Sequence, residues 1–324
     1  MAAPLKILPA LPKTHFASIY KQSQCLRCIA NNEYVARRWA TTKRSMTHAE
    51  YCMDTVRKYD YESFLCSLLL PSSARTSAFA VRAFNVDVAQ IRDMVSDKNI
   101  GYMRMHFWKD SLEGIYKDVP PRSPVGLELH KAVKRHGLSK HWLKRIIEGR
   151  TENLSDQQFR SMKDMEDYAE QTVSSLYYLL LEILGIKNVN ADHAASHIGK
   201  AQGLVTQLRA VPFNAGRQRV YLPLELMLLH DVSQEEVIRG STEQKMKDVA
   251  YDIAGNAHQH LDKAVDLQKE VPKDAKIAFL PTASIRNYLK ILQQVDFNVF
   301  DSKLQQRNHW LPISLWMQRM RGKY

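Results

Sequence analysis

From His48 onward apolar residues recur at three- and four-residue steps, the spacing that gathers them on one face of an α-helix. Phe79, Val81, Ala83, Phe84, Val86, Ile91 and Met94 predict one helix. Phe107, Leu112, Ile115 and Tyr116 predict a second, which stops before Pro120-Pro121 because the residue before a proline avoids helical backbone. Residues 129–147 read as a third, with an interruption at Gly137. Residues 164–184 are apolar on more than one face and form the candidate central helix. Residues 191–208 follow. Pro212 and Gly216 then predict a loop closed by Val220-Tyr221-Leu222-Pro223. Helices through residues 249–267 and 277–292 finish the pattern, which predicts one all-α domain.

Composition narrows this further. Only 12 of the 324 residues are glycine and strand-like runs of Val, Ile and Thr are scarce, which disfavours an all-β fold. No window holds about 18 uninterrupted apolar residues, so no membrane-spanning helix is expected. The nearest stretch, residues 176–186, is short and carries Glu182. Four cysteines are too few for a disulfide scaffold.

The net charge of +12 is unevenly placed. Residues 1–49 hold eight Lys or Arg against Glu33 alone, residues 303–324 hold five bases and no acid, and the 253 residues between are neutral. A nucleic-acid binder carries its basic stripe on the folded body, so no nucleic-acid partner is expected. Residues 1–49 are basic, nearly free of acid, and mix Ser and Thr with scattered apolar residues, which reads as a mitochondrial targeting leader, with a disordered basic tail as the alternative. Cys25 and Cys28 form a C-x-x-C inside it, but no second pair completes a zinc site. Three segments are therefore expected: a leader over 1–49, a helical domain over 50–302, and a basic aromatic segment over 303–324.

Two acids four apart share a helix face, and two such helices facing each other can hold Mg²⁺ ions that grip a diphosphate. Asp93/Asp97, Asp248/Asp252 and Asp262/Asp266 have that spacing, which a solvated helix face also produces. The surroundings are more specific. Leu68-Leu69-Leu70-Pro71, Arg75, Ala80-Val81-Arg82-Ala83-Phe84, Asp93 and Phe107-Trp108 occur in a distinctive order. So do Asp167-Tyr168, Ile183-Leu184-Gly185, Gly199-x-Ala201, Leu208-Arg209 and Arg217-x-Arg219-Val220-Tyr221-Leu222-Pro223. Over roughly residues 50–300 the chain resembles the squalene/phytoene synthase family. The resemblance implies the all-α isoprenoid-synthase bundle as a single domain.

The same resemblance exposes departures. The family's D-D-x-x-D motif falls on Ala89, Gln90 and Asp93, and its second D-x-x-x-D falls on Ala210 and Asn214. One carboxylate stands where the family has five. A diphosphate placed here without metal would cost roughly several kcal/mol per buried charge, and a lone carboxylate is a poor magnesium site. The family's A-G-x-V-G stretch falls on Val173-Ser174-Ser175-Leu176-Tyr177, so both glycines that leave room for a prenyl chain are replaced. A filled channel, no prenyl condensation, no metal and no cofactor are expected: a pseudoenzyme. Arg75, Asp93, Arg209, Asn214, Arg217, Arg219 and Tyr221 remain as candidate pocket residues. They read either as structural partners of helix ends and carboxylates or as a residual anion or lipid-headgroup pocket. His193 and His197 share the i, i+4 spacing of zinc ligands but lack a third, and are expected to be exposed polar residues.

Trp310, Leu311, Leu315 and Trp316 with Arg319 and Arg321 combine aromatic, apolar and basic side chains. Trp favours the headgroup level and bases are drawn to anionic lipid, so this segment reads as a peripheral membrane contact or as a last helix packed on the domain. Within the family, the leader, the lost aspartates and Arg82-Ala83-Phe84-Asn85-Val86 are similar to a non-catalytic mitochondrial branch, the complex I assembly factors. That resemblance implies a role in early assembly of NADH:ubiquinone oxidoreductase at a membrane-arm subunit, with complex I subunits or other assembly factors as partners, on the matrix side of the inner membrane. The alternatives are a prenyl transferase with a rearranged metal site and a membrane-surface lipid binder.

Overall fold

A computed structural model describes residues 46–95, 97–155 and 157–324. Most of the expected leader, with Cys25 and Cys28, lies outside the described residues. The described residues contain helices and no strand.

Local signals start and stop these helices. α1 (His48–Tyr59) is opened by Thr47, whose hydroxyl accepts from the Glu50 N–H while the Glu50 carboxylate accepts from the Thr47 N–H. α2 (Tyr61–Leu68) follows after Asp60 alone, and α3 (Ser72–Met94) begins after Pro71. α4 (Lys98–Tyr116) is capped by Asp97, whose carboxylate accepts from the Asn99 N–H. The third expected helix is in fact two. α5 (Pro124–His136) ends at Gly137, which sits at φ 64°, a conformation only glycine adopts cheaply. α6 (Lys140–Glu152) then starts afresh.

The expected central helix is a continuous rod with a defect. α7 (Met162–Ala169) runs into one π-helical turn, Glu170–Ser174, and on into α8 (Ser175–Ile183). Every residue of α8 except Glu182 is buried. α9 (Val189–Ala215) packs along this rod and against α12 (Gln244–Asp266). The short helices α10 (Leu224–Leu229) and α11 (Gln234–Ile238) lie between α9 and α12 in the chain. α13 (Thr282–Gln294) follows a 3₁₀ segment, Lys273–Phe279. α14 (Leu311–Arg321) closes the chain's helical order and packs on α13. α3 rests on α1 and α5 on one side and on α8 on the other.

One expected loop is corrected. Pro212 lies inside α9 and the helix continues to Ala215. Pro212 removes one backbone donor, but Leu208, Val211 and Ala215 around it are buried. Burial of that face carries the helix past the break. The turn begins only at Gly216.

Candidate functional site

α2, α3, α6, α8, α9 and α13 converge around a cavity of about 400 Å³. Ala89 and Gln90 of α3 line it. Asp93, the next turn along, does not; its carboxylate lies 3.5 Å from the Arg219 guanidinium. The Asp93 carboxylate is therefore already opposite a cation.

The other candidate pocket residues do not form one group. Arg75 donates to the Leu70 carbonyl at 3.1 Å and closes the α2–α3 corner. Arg209 does line the cavity, 3.2 Å from the Glu62 carboxylate and 5.0 Å from the Tyr288 ring centroid. Arg217 lies 3.7 Å over the Phe213 ring. The Asn214 carbonyl accepts from the backbone of Arg217 and Arg219 at 2.9 and 3.0 Å and shapes the turn after α9. Tyr221 sits under the Arg92 guanidinium at 3.9 Å. Asn214, Arg219 and Tyr221 do share one hollow, but it holds only about 10 Å³, room for a single water. Three cation–ring stacks and two ion pairs account for most of these side chains, so they tie helix ends together.

The donors offered do not fit a magnesium cluster. Mg²⁺ wants hard oxygen ligands including one or two carboxylates. Ala89, Gln90, Ala210 and Asn214 bring none, and Asp93 faces Arg219. Among the described residues no group of three or more His, Cys, Asp or Glu side chains is placed to hold a metal. Four of the other paired acids have local partners. Asp97 caps α4, Asp248 accepts from Gln244, Asp252 lies 2.6 Å from His230, and Asp262 lies 2.9 Å from His258.

Tyr177, where the resemblance expects a glycine, is fully enclosed. Its hydroxyl donates to Gln202 Oε1, and its ring lies 6.1 Å from Phe279, which in turn meets Tyr324 edge-on at 4.9 Å. Burial pushes the Tyr177 phenol well above its ordinary range. This aromatic row packs beside α8, but Tyr177 also lines the 400 Å³ cavity with Val173, Leu176 and Leu180, so the expected filled channel is corrected: space remains there.

The histidine expectation holds for His193, which is exposed, and is corrected for His197, which is half-buried. Its Nδ1 lies 2.9 Å from Nδ1 of His260 on α12, and His260 Nε2 lies 3.4 Å from Glu166 on α7. Burial, and then the His260 charge, lower His197 to about 4, so at neutral pH it is uncharged. Nothing in the spacing of His193 and His197 could reveal a partner 63 residues away.

The membrane-contact expectation is corrected in part. Leu311 and Leu315 are buried against Cys66 and Leu280, so they cannot meet a bilayer from this fold. The opposite face of α14 is apolar as well. Trp310 is 71% exposed and Trp316 56%, and Ile313, Met317 and Met320 stand beside them at helical spacing. Arg319 and Arg321 are exposed on the same helix. No helix among the described residues is long and apolar enough to cross a membrane.

Two comparisons of sequence and one of structure bear on this arrangement. Proteins named "NADH dehydrogenase (ubiquinone) complex I, assembly factor 6" from Bos taurus and Homo sapiens are each 54% identical over 274 residues, covering 85% of this chain and 82% of theirs. A crystal structure of a dehydrosqualene synthase in complex with ligand superposes with a TM-score of 0.75 at 18% identity, over 85% of this chain and 95% of that one. Such a likeness at low identity establishes the all-α isoprenoid-synthase fold and leaves the activity to the side chains. The family model described as squalene/phytoene synthase matches residues 56–314, most of the described body, and the chain therefore belongs to the squalene/phytoene synthase family.

Proposed function

We propose that this chain is a non-catalytic assembly factor for mitochondrial respiratory complex I. The reading rests on one observation above the rest: 54% identity, over most of both chains, to proteins that carry that name. The cleft supports it chemically. A diphosphate entering beside Ala89 and Gln90 would meet no carboxylate-held metal, and the only motif acid left is opposed by Arg219. The cavity's arginines exceed its carboxylates by one, so most of a diphosphate's charge would be buried without compensation, which is unfavourable by several kcal/mol or more, and the scaffold serves as a shape and not as a catalyst.

In this proposal the basic segment 1–49 delivers the chain to the mitochondrion. The domain over 50–302 engages complex I subunits or other assembly factors at an early stage, at a membrane-arm subunit on the matrix face. The segment over 303–324 attaches peripherally to the inner membrane through Trp310, Trp316, Arg319 and Arg321, joined by Ile313, Met317 and Met320. Trp at the headgroup level with neighbouring cations is the chemistry of such a contact.

Deleting the gene and resolving respiratory complexes on native gels tests the role. The expected result is loss of mature complex I, restored equally by the wild-type chain and by Asp93→Ala. Intact complex I in the deletion, or failure of Asp93→Ala to restore it, would overturn the proposal.

A further inference from the structure

The 400 Å³ cavity has a polar lining that its own residues leave partly unsatisfied. Arg82 on α3 is only 5% exposed although it carries a full charge. Asp60 is its carboxylate partner at 3.9 Å, the limit of an ion pair, and its Nε has no hydrogen-bond partner. Arg150 reaches the same cavity from α6. One of its terminal nitrogens donates to Asn85 Oδ1 at 2.6 Å, while its buried Nε has no partner. Ser284 on α13 is 6% exposed, lines the cavity, and its hydroxyl is also unpartnered. Buried donors left unpaired are costly, and more so on charged groups. These three atoms are themselves sealed from the cavity, but each belongs to a side chain that lines it, so the cavity wall is polar and under-paired at that end.

The charge balance specifies the charge such a wall would match. Arg82, Arg150 and Arg209 line the cavity together with Asp60 and Glu62, so the lining carries one unmatched positive charge. Glu62 stands at 3.2 Å from Arg209 and Asp60 faces Arg82. Arg150 has a neutral partner, Asn85. One negative charge would neutralise the site, and a second would be buried without compensation. The remaining wall is mixed: Val86, Leu176, Leu180 and Ile285 form an apolar stretch, and Ser63, Gln90, Gln202 and Thr206 are polar. The volume lies within the ordinary range of ligand pockets.

We infer that this cavity binds a singly charged carboxylate on a hydrocarbon chain, a ligand of the fatty-acid class, without any metal. The carboxylate is held by Arg82 and Arg150, whose planar forks suit its two oxygens, with Ser284 as a further donor. The chain lies along Val86, Leu176 and Leu180. Binding of this kind does not depend on the role in complex I assembly.

The test uses the purified full chain in EDTA. The fluorescent fatty acid cis-parinarate reports binding, and oleate, oleyl alcohol and farnesyl diphosphate compete for it. Saturable binding near one probe per chain is expected, displaced by oleate at least tenfold more effectively than by oleyl alcohol or farnesyl diphosphate. Arg150→Met is expected to weaken binding at least tenfold, and Trp316→Glu on the outer face of α14 to leave it within threefold. The competition series needs no variant, so it stands even if Arg150→Met fails to fold. Absence of saturable binding, equal competition by the alcohol, stronger competition by the diphosphate, or unchanged affinity in a folded Arg150→Met would each overturn the inference.

Discussion

Replacing Gly199 by alanine should destabilise this protein, although the same change inside most helices stabilises them. Alanine is favoured over glycine in a helix interior by about 1 kcal/mol. At Gly199 the added Cβ would lie 2.2 Å from Ser174 Oγ, 2.5 Å from Ser174 Cα and 2.7 Å from Ser174 N. The hydroxyl can turn away, but the backbone of the π-helical turn cannot. Carbon atoms in contact sit about 3.5–4.0 Å apart, so α9 must move off the central rod by roughly 1 Å. Overpacking of this kind costs about 1–3 kcal/mol. The same shift stretches the bonds from Ser174 Oγ to the Ser196 carbonyl at 3.1 Å and from Ser196 Oγ to Glu170 at 2.8 Å, each contributing about 1 kcal/mol. Net destabilisation is about 2–4 kcal/mol once the helix preference is subtracted. Gly255 in α12 is the control. Nothing lies within 4 Å of the place a methyl group would take there, so alanine should stabilise by about 0.5–1 kcal/mol. Urea unfolding followed by far-ultraviolet circular dichroism measures both. Second-site changes sharpen the test. Ser174→Gly should not rescue Gly199→Ala, since the clash is with main chain. Ala169→Gly should partly rescue Gly203→Ala, whose closest contact is the Ala169 Cβ at 2.3 Å. Equal stabilisation by Gly199→Ala and Gly255→Ala would refute the close approach of α9 to the rod.

Burial pushes the Asp87 carboxyl on α3 up to about 6, so its charged form is disfavoured in the fold. A group raised in this way adds stability that is present at low pH and lost as pH rises through the folded value. Asp87→Asn should therefore stabilise the protein by about 3 kcal/mol above pH 7 and by nothing below pH 3.8, as read from thermal unfolding across that range. A gain independent of pH would exclude burial as the cause. The two faces of α14 should separate cleanly: Trp316→Glu with Met320→Glu should abolish flotation with anionic vesicles and leave the melting temperature unchanged. Leu315→Ala should cost about 2–5 kcal/mol in stability and leave flotation unchanged. Flotation that survives the double change would rule out the membrane contact.

The helices around α3, α8 and α12 were legible because their apolar spacing persists over several turns. Gly137 was legible as a break, since a glycine at positive φ is a common helix stop. Pro212 misled for a physical reason: a proline lowers local helix preference, but burial of Leu208, Val211 and Ala215 outweighs it. α14 carries apolar side chains on both its buried and its exposed sides, so its pattern could not say which leucines face inward. Tertiary contact with Cys66 and Leu280 decides that. The cavity was barely legible: of the seven candidate pocket residues only Arg209 lines it, and Arg82 entered only as part of a motif. Arg82 stands out as a cation within the apolar run from Ala78 to Phe84, whereas Arg150 and Ser284 carry no local sign. The His197–His260–Glu166 chain links three helices and exists only once they pack.

The central claim is that the cleft cannot hold and ionise a diphosphate. The direct measurement is release of inorganic pyrophosphate from geranylgeranyl or farnesyl diphosphate by the purified full chain with excess Mg²⁺. No release above the protein-free rate is expected. Release that depends on the protein and disappears in Asp93→Ala would contradict it.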